Sequence, residues 1–412
     1  MKVRSVTLGL PCTWPSDAAL VARAGRGLAA VAARLRAAGW EVQTTRLALP
    51  PFPAVLGWRE PARVAALAEW LAACCADAEI AYASLGPVPA AAPAGAGAPP
   101  TAFAAALPDA LAARDTLFAS VMLDTAAGVQ VAMAEAAAEV ILALARATPE
   151  GFGNLRFAAL ARCPPGIPFF PAAYHDGGPP ALALALEAAD VALAAFDGAP
   201  SVARAQARLV AALEAEGGRL AMVAEAASAE QGWRFRGLDL SLAPFPDAGH
   251  SIAGALERLG LGQFGAFGTL YAARCLTEAL ARVRLPRCGF SGLMLPVLED
   301  SRLAAAAAEG RLGPAELLLY AAVCGTGLDT VPLPGTVSAA ELAALLLDVA
   351  TLAVALDKPL TARLLPVPGK EAGDWTQYTF PFFANTRVLP VHGVAPIELL
   401  RRAAPPSAPA QG

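Results

Sequence analysis

Along the chain, short β-branched or apolar runs alternate with longer Ala- and Leu-rich stretches in which apolar positions recur at helical spacing. That alternation predicts βα units and an α/β fold with a largely parallel sheet or barrel. Strands are expected at 3–10, 41–47, 155–161, 220–224, 237–243, 289–295 and 359–367, with weaker ones near 328–333 and 387–391. Ser338-Ala339-Ala340-Glu341 has the form of a capping box, and Leu342, Leu345, Leu346, Val349, Leu352 and Leu356 follow it at helical spacing. Gly313-Pro314 opens another helix and Gly325 is placed to stop it, which puts Cys324 at a helix C-terminus. Residues 86–100, nearly all Ala, Pro and Gly, can neither pack a face nor hold a ladder and read as a surface excursion. The expected organisation is one domain over 1–402 followed by a disordered tail, 403–412.

Composition narrows the function classes. With 56% hydrophobic and 16% charged residues, the 412-residue chain can bury a large core. A net charge of −4 supplies no basic field, so nucleic acid is not an expected partner. The longest apolar stretch, 339–356, carries Glu341 and Asp348 and reads as a buried helix, so no membrane association is expected. The first residues, Met1 to Val6, have the pattern of a strand rather than of a signal peptide. Seven cysteines without a C-x-x-C pair fit free thiols in the cytoplasm and no structural zinc. Only Lys2, Lys358 and Lys370 are lysines among 31 basic residues, which draws attention to the last two, since an ammonium and a guanidinium do different chemistry.

In βα architectures ligands sit at the C-terminal ends of strands, and five such loops are chemically dense: 174–178, 244–251, 296–301, 324–330 and 366–374. His175, beside Asp176 on a glycine-rich turn, is a candidate general base or metal ligand, or else an exposed turn histidine. Cys324, in Cys-Gly-Thr-Gly, is the leading nucleophile candidate, although a helix C-terminus disfavours a thiolate unless a cation such as Lys370 or Arg363 compensates. Asp239, Glu299 and Asp329 are candidate oxygen ligands for a divalent metal, or acid–base groups. His250 and Ser251 precede a helix whose free amides suit an anion, and Ser251 also reads as a plain N-cap; Asp300 and Ser301 likewise read as caps. The glycine-rich run 261–268 lacks both the Lys-Ser/Thr of a P-loop and a preceding strand, so no nucleotide is expected.

Several runs together resemble the domain-of-unknown-function 711 family: Gly289 to Asp300, Leu317 to Gly335, Lys358 to Lys370, Phe383 to Val388, and the segments Pro168 to His175 and Leu238 to Phe245. The family is similar in fold to pyruvate formate-lyase, so the resemblance implies an α/β barrel with strands inside, helices outside and a ligand cavity within. Glycyl-radical enzymes carry Arg-Val-x-Gly-Tyr near the C-terminus, whereas Thr386-Arg387-Val388-Leu389-Pro390 has proline where that glycine would sit. No glycyl radical is therefore expected. Relatives beside a small ACT-domain protein suggest such a partner.

The combined expectation is a non-radical enzyme acting on a small anionic metabolite, an acyl or amino-acid derivative, in the barrel cavity. Cys324, His175 and Lys370 would be catalytic; Arg363, Ser251, His250, Thr326 and Ser291 would contact the substrate. Asp239, Glu299 and Asp329 would hold a divalent metal or orient the other groups. The alternative is a metabolite-sensing module working with an ACT-domain partner without turnover, and either form is compatible with a homo-oligomer.

Overall fold

A computed structural model describes residues 1–260 and 262–392, which form eleven strands and a shell of helices. The strands are β1 (Lys2–Gly9), β2 (Val42–Ala48), β3 (Tyr82–Val88), β4 (Leu117–Met122), β5 (Asp124–Thr125), β6 (Gly128–Val129), β7 (Phe157–Ala161), β8 (Ala181–Glu187), β9 (Arg234–Ala243), β10 (Gly327–Pro334) and β11 (Leu360–Val367). All but the β5–β6 hairpin join one nine-stranded sheet in the order β10-β11-β7-β4-β3-β2-β1-β8-β9. Neighbours run parallel except at two seams, β7 with β11 and β1 with β8. The sheet is thus mostly parallel, as the alternation of strands and helices predicts, with two antiparallel seams.

The sheet curls strongly. Arg4 of β1 and Arg363 of β11 lie five strand steps apart, about 24 Å on a flat sheet, yet both bond the carboxylate of Glu299. One chain segment also reaches both sheet edges, since Arg287 bridges Leu238 of β9 and Pro296 bridges Asp329 of β10. That segment runs against the loop before β10 with almost no gap: a Cβ on Gly292 would stand 2.5 Å from the Cα of Gly325. Only glycine permits so close a backbone approach.

Helices cover the convex face. Ala339–Leu356, closed at its N-terminus by the Ser338–Glu341 capping box, buries Leu342, Leu346, Val349 and Ala353. It packs against helix Val131–Ala147 and strands β7 and β11. By length and composition this helix is apolar enough to cross a membrane, but here its apolar face covers the sheet.

The expected strands at 3–10, 41–47, 155–161, 237–243, 328–333 and 359–367 are present within a residue or a few. Residues 220–224 are helical instead, inside Val202–Glu230, because their Ala- and Leu-rich neighbours continue the helical repeat on both sides. Residues 289–295 make no ladder, and 387–391 contribute only a bridge from Arg387 to Trp375. Strands β3, β4 and β8 were not foreseen. The run Ala-Leu-Ala-Leu-Ala-Leu-Glu of β8 favours a helix intrinsically and is extended because both faces are buried between β1 and β9. The excursion begins later than 86, since Gly86-Pro87-Val88 end β3 with Gly86 at φ 81°; residues 89–99 carry only turns and bends. The tail 403–412 lies outside the described residues.

Candidate functional site

The concave side of the sheet encloses a cavity of about 170 Å³. Strand alternation sets its lining: in β11, Ala362 and Leu364 join the core beneath the helices, which turns Arg363 inward. By the same rule β1 supplies Arg4, β2 Arg46, β3 Tyr82, β4 Phe118 and β10 Asp329. Apolar walls come from Phe169, Phe170, Phe290, Met294, Phe380 and Phe382.

Two of the three guanidiniums are neutralised in place. Glu299 accepts from Arg4 Nη2 at 2.5 Å and from Arg363 Nη2 at 2.7 Å, while Asp329 Oδ1 accepts from Arg363 Nε at 2.6 Å. Burial alone would lower the Arg363 guanidinium, but Asp329 and Glu299 overcome it and hold it raised. Arg4 also donates to Glu187 at 3.4 Å, and Lys2 stands 4.0 Å from the other Glu187 oxygen.

Arg46 differs. Its Nε donates to Thr44 Oγ1 at 2.9 Å, and its guanidinium lies over the rings of Phe170 and Tyr82, 5.1 and 5.5 Å from their centroids. No carboxylate pairs with it among the described residues, and neither Nη has a protein acceptor. Burial, with Arg4 adding repulsion and Tyr82 and Glu299 opposing from a distance, pushes this guanidinium down to about 9, so it stays cationic at neutral pH without a bonded carboxylate.

Asp329 sits on a distorted piece of backbone. The β10–β11 register shifts between Leu328 and Val331, and Thr330 holds φ 44°, a left-handed conformation that costs a β-branched residue of order 1–3 kcal/mol. Such bulges re-aim a side chain. Asp329 Oδ2 has no protein partner among the described residues and lines the cavity, and burial raises the carboxyl against the opposing pull of Arg363.

Of the residues singled out from sequence, the fold brings Arg363, Glu299, Asp329 and Thr326 to the cavity wall and leaves the others elsewhere. The trio Asp239, Glu299 and Asp329 does not assemble. Asp239 instead accepts from Ser241 N and Oγ, Phe290 N and Ser291 N at 2.6–3.0 Å, which fixes the 289–291 turn. Glu299 and Asp329 are committed to arginines, and among the described residues no group of three His, Cys, Asp or Glu side chains could hold a metal ion. The donor set therefore does not fit the divalent ion expected from sequence.

Ser291, at φ 43°, donates to Cys288 O and belongs to the same turn. Ser251 is an N-cap whose hydroxyl donates to buried Asp300 at 2.6 Å; Asp300 also accepts from the amides of Ile252, Arg302 and Leu303, capping two helices. His250 pairs with Asp247 at 2.9 Å on the half-exposed surface. Lys370 donates to Gln377 at 3.3 Å, away from the cavity wall. Lys358 explains itself structurally: its ammonium caps the carbonyls of Ala321, Ala322 and Cys324 at the end of helix Pro314–Ala321.

Cys324 is buried in the apolar core and absent from the cavity wall. Cys324→Ala should cost about 1 kcal/mol of stability and leave ligand binding unchanged, as chemical denaturation and titration of the same preparation would read.

His175 is buried with both ring nitrogens used, Nδ1 accepting from Gly177 N at 2.9 Å and Nε2 donating to Pro179 O at 3.2 Å. Its ring lies where a Cβ on Gly9 would be, so it is a packing residue rather than a turn histidine or a base facing a substrate. Burial lowers its pKa despite Asp176 nearby, with Arg236 adding to the decrease. Near pH 6 the unfolded chain therefore binds more protons at this site than the folded one, and stability present above about 6.5 is lost as pH falls. Thermal unfolding between pH 7.5 and 5.5 should show a shallower pH slope in His175→Asn than in the parent.

Arg4, Arg46, Tyr82, Phe118 and Phe170 were missed. The available signal was a charge placed inside an otherwise strand-like run, as in Thr44-Thr45-Arg46-Leu47-Ala48, whereas attention to loops led away from strand interiors.

Comparison with known proteins accords with the earlier resemblance. A UPF0210 protein of Pyrobaculum aerophilum is 37% identical over 259 residues, 61% of this chain and 57% of that protein. UPF0210 proteins of Pyrobaculum islandicum and Desulforudis audaxviator are 36% and 34% identical, over 65% and 66% of this chain and 61% and 63% of their own lengths. The chain thus spans roughly three fifths of the length of these three relatives. The family profile described as Uncharacterised ACR (DUF711) matches residues 1–380, so the chain belongs to that family.

Proposed function

We propose that the protein is a non-radical enzyme acting on a small organic anion held in the sheet's cavity, with Arg46 as the anchor and Asp329 as the acid–base group. The observation that carries this reading is the unpaired charge of Arg46 in a wall where Arg4 and Arg363 each have carboxylate partners. An uncompensated buried cation is costly, and an anion delivered by the ligand supplies the missing partner. Asp329 adds a carboxyl raised by burial with one oxygen open to the cavity, the arrangement a general acid or base needs. The anion-binding role that the sequence assigned to Arg363 passes to Arg46, because the charge of Arg363 is already met by Glu299 and Asp329.

We read the sheet as completed into a pyruvate formate-lyase-like barrel by residues 287–296, which are bridged in parallel to both edge strands. Seven unpaired cysteines support a reducing compartment such as the cytoplasm. A thermal-shift screen of small carboxylates, phosphate and sulfate tests the proposal: a binder raises the unfolding temperature with concentration. Equal response of the parent and Arg46→Gln to every anion would refute it.

A further inference from the structure

We infer that the ligand is a monocarboxylate with an aromatic or branched apolar body, rather than a phosphate ester, dicarboxylate or nucleotide; this rests on the cavity reading above. Charge comes first. Three guanidiniums and two carboxylates line the cavity, and Glu187 behind the wall, which also meets Arg4, is matched by Lys2, which leaves one positive charge for the ligand to match. A second ligand charge would enter an apolar enclosure without a partner.

Donor supply points the same way. Phosphate presents several strong acceptor oxygens, whereas a carboxylate is satisfied by one guanidinium fork. Few donors remain here. Arg4 and Arg363 are committed to carboxylates; Gln43 donates to Glu187 at 2.6 Å; Thr44 and Thr361 donate to the carbonyls of Arg4 and Thr326, each at 2.9 Å. Among the described residues on the wall, the two Nη groups of Arg46 and the hydroxyl of Tyr82 are left, with Arg4 Nε and Arg363 Nη1, which belong to guanidiniums already neutralised.

The remaining wall suits an apolar body. Tyr82, Phe118 and Phe170 stack edge to face at 5.4 and 5.2 Å around Arg46, and Phe380 and Phe382 lie 5.2 Å apart on the wall as well. Rings in such arrays accept another ring or a branched chain with area burial plus edge-to-face attraction. A volume near 170 Å³ is too small for a dinucleotide.

Calorimetric titration of the full chain with 3-phenylpropanoate, 4-methylpentanoate, acetate, succinate and inorganic phosphate separates the possibilities. The two apolar monocarboxylates should bind at least roughly tenfold tighter than acetate, succinate or phosphate. Their binding should weaken roughly ten- to hundredfold in Arg46→Gln and severalfold in Phe382→Ala. If succinate or phosphate binds most tightly and still requires Arg46, this inference is overturned while the anion site stands. Should no probe bind, or should binding ignore Arg46, both fail.

Discussion

Arg363→Met should lower the unfolding free energy by about 3–5 kcal/mol, the usual cost of removing one partner from a buried ionic network. Among the described residues, Asp329 loses the one side chain bonded to it, and Glu299 keeps Arg4. Methionine matches much of the aliphatic stem, so the loss comes from charge rather than from a void. Two further measurements isolate that cause. Adding Asp329→Asn to Arg363→Met should recover a large part of the loss, since the stranded carboxylate is gone. The deficit should also narrow between pH 7 and 5: without Arg363 the Asp329 carboxyl is raised further by burial, and protonation relieves the penalty as pH falls. A deficit independent of pH and unchanged in the double variant would mean that Arg363 acts by packing.

Arg46→Gln should behave in the opposite way. Among the described residues no carboxylate is bonded to Arg46, so its removal strands no charge, and the unfolding temperature should hold or rise because a buried cation is gone. Ligand binding is where the loss appears. A hydrogen bond to a charged group contributes about 1.5–3 kcal/mol, so affinity for the anion should fall roughly ten- to hundredfold. Arg46→Lys should recover only part of it, because an ammonium lacks both the planar fork and the stacking on Phe170 and Tyr82. The contrast between two arginines of the same wall, one holding the fold and the other open to a ligand, is the main energetic claim about this site.

The difference between those arginines shows how far the sequence could be read. Periodicity disclosed the Ser338–Glu341 capping box and most strands, because those signals are local. The helix around 220–224 and the Ala-Leu strand β8 defeated it, since residues 220–224 and 181–186 are apolar throughout and only their neighbours decide between helix and strand. At the site, Arg363, Glu299, Asp329 and Thr326 were legible from the dense segments around them. Arg4 and Arg46 were not, because their importance arises from curvature: residues from β1, β2, β10 and β11 meet only when the sheet curls. Cys324, His175, Ser251 and Asp239 attracted attention by residue type, yet their polar atoms are spent on caps, turns and core packing. A reactive residue type near a glycine does not show which way its side chain turns.

A crystal structure of the protein with 3-phenylpropanoate should show carboxylate oxygens about 3 Å from the Nη groups of Arg46 and the ring among Phe118, Phe170 and Phe382. A ligand seated elsewhere, or a carboxylate on Arg363 with the Glu299 and Asp329 pairs broken, would contradict Arg46 as the anchor.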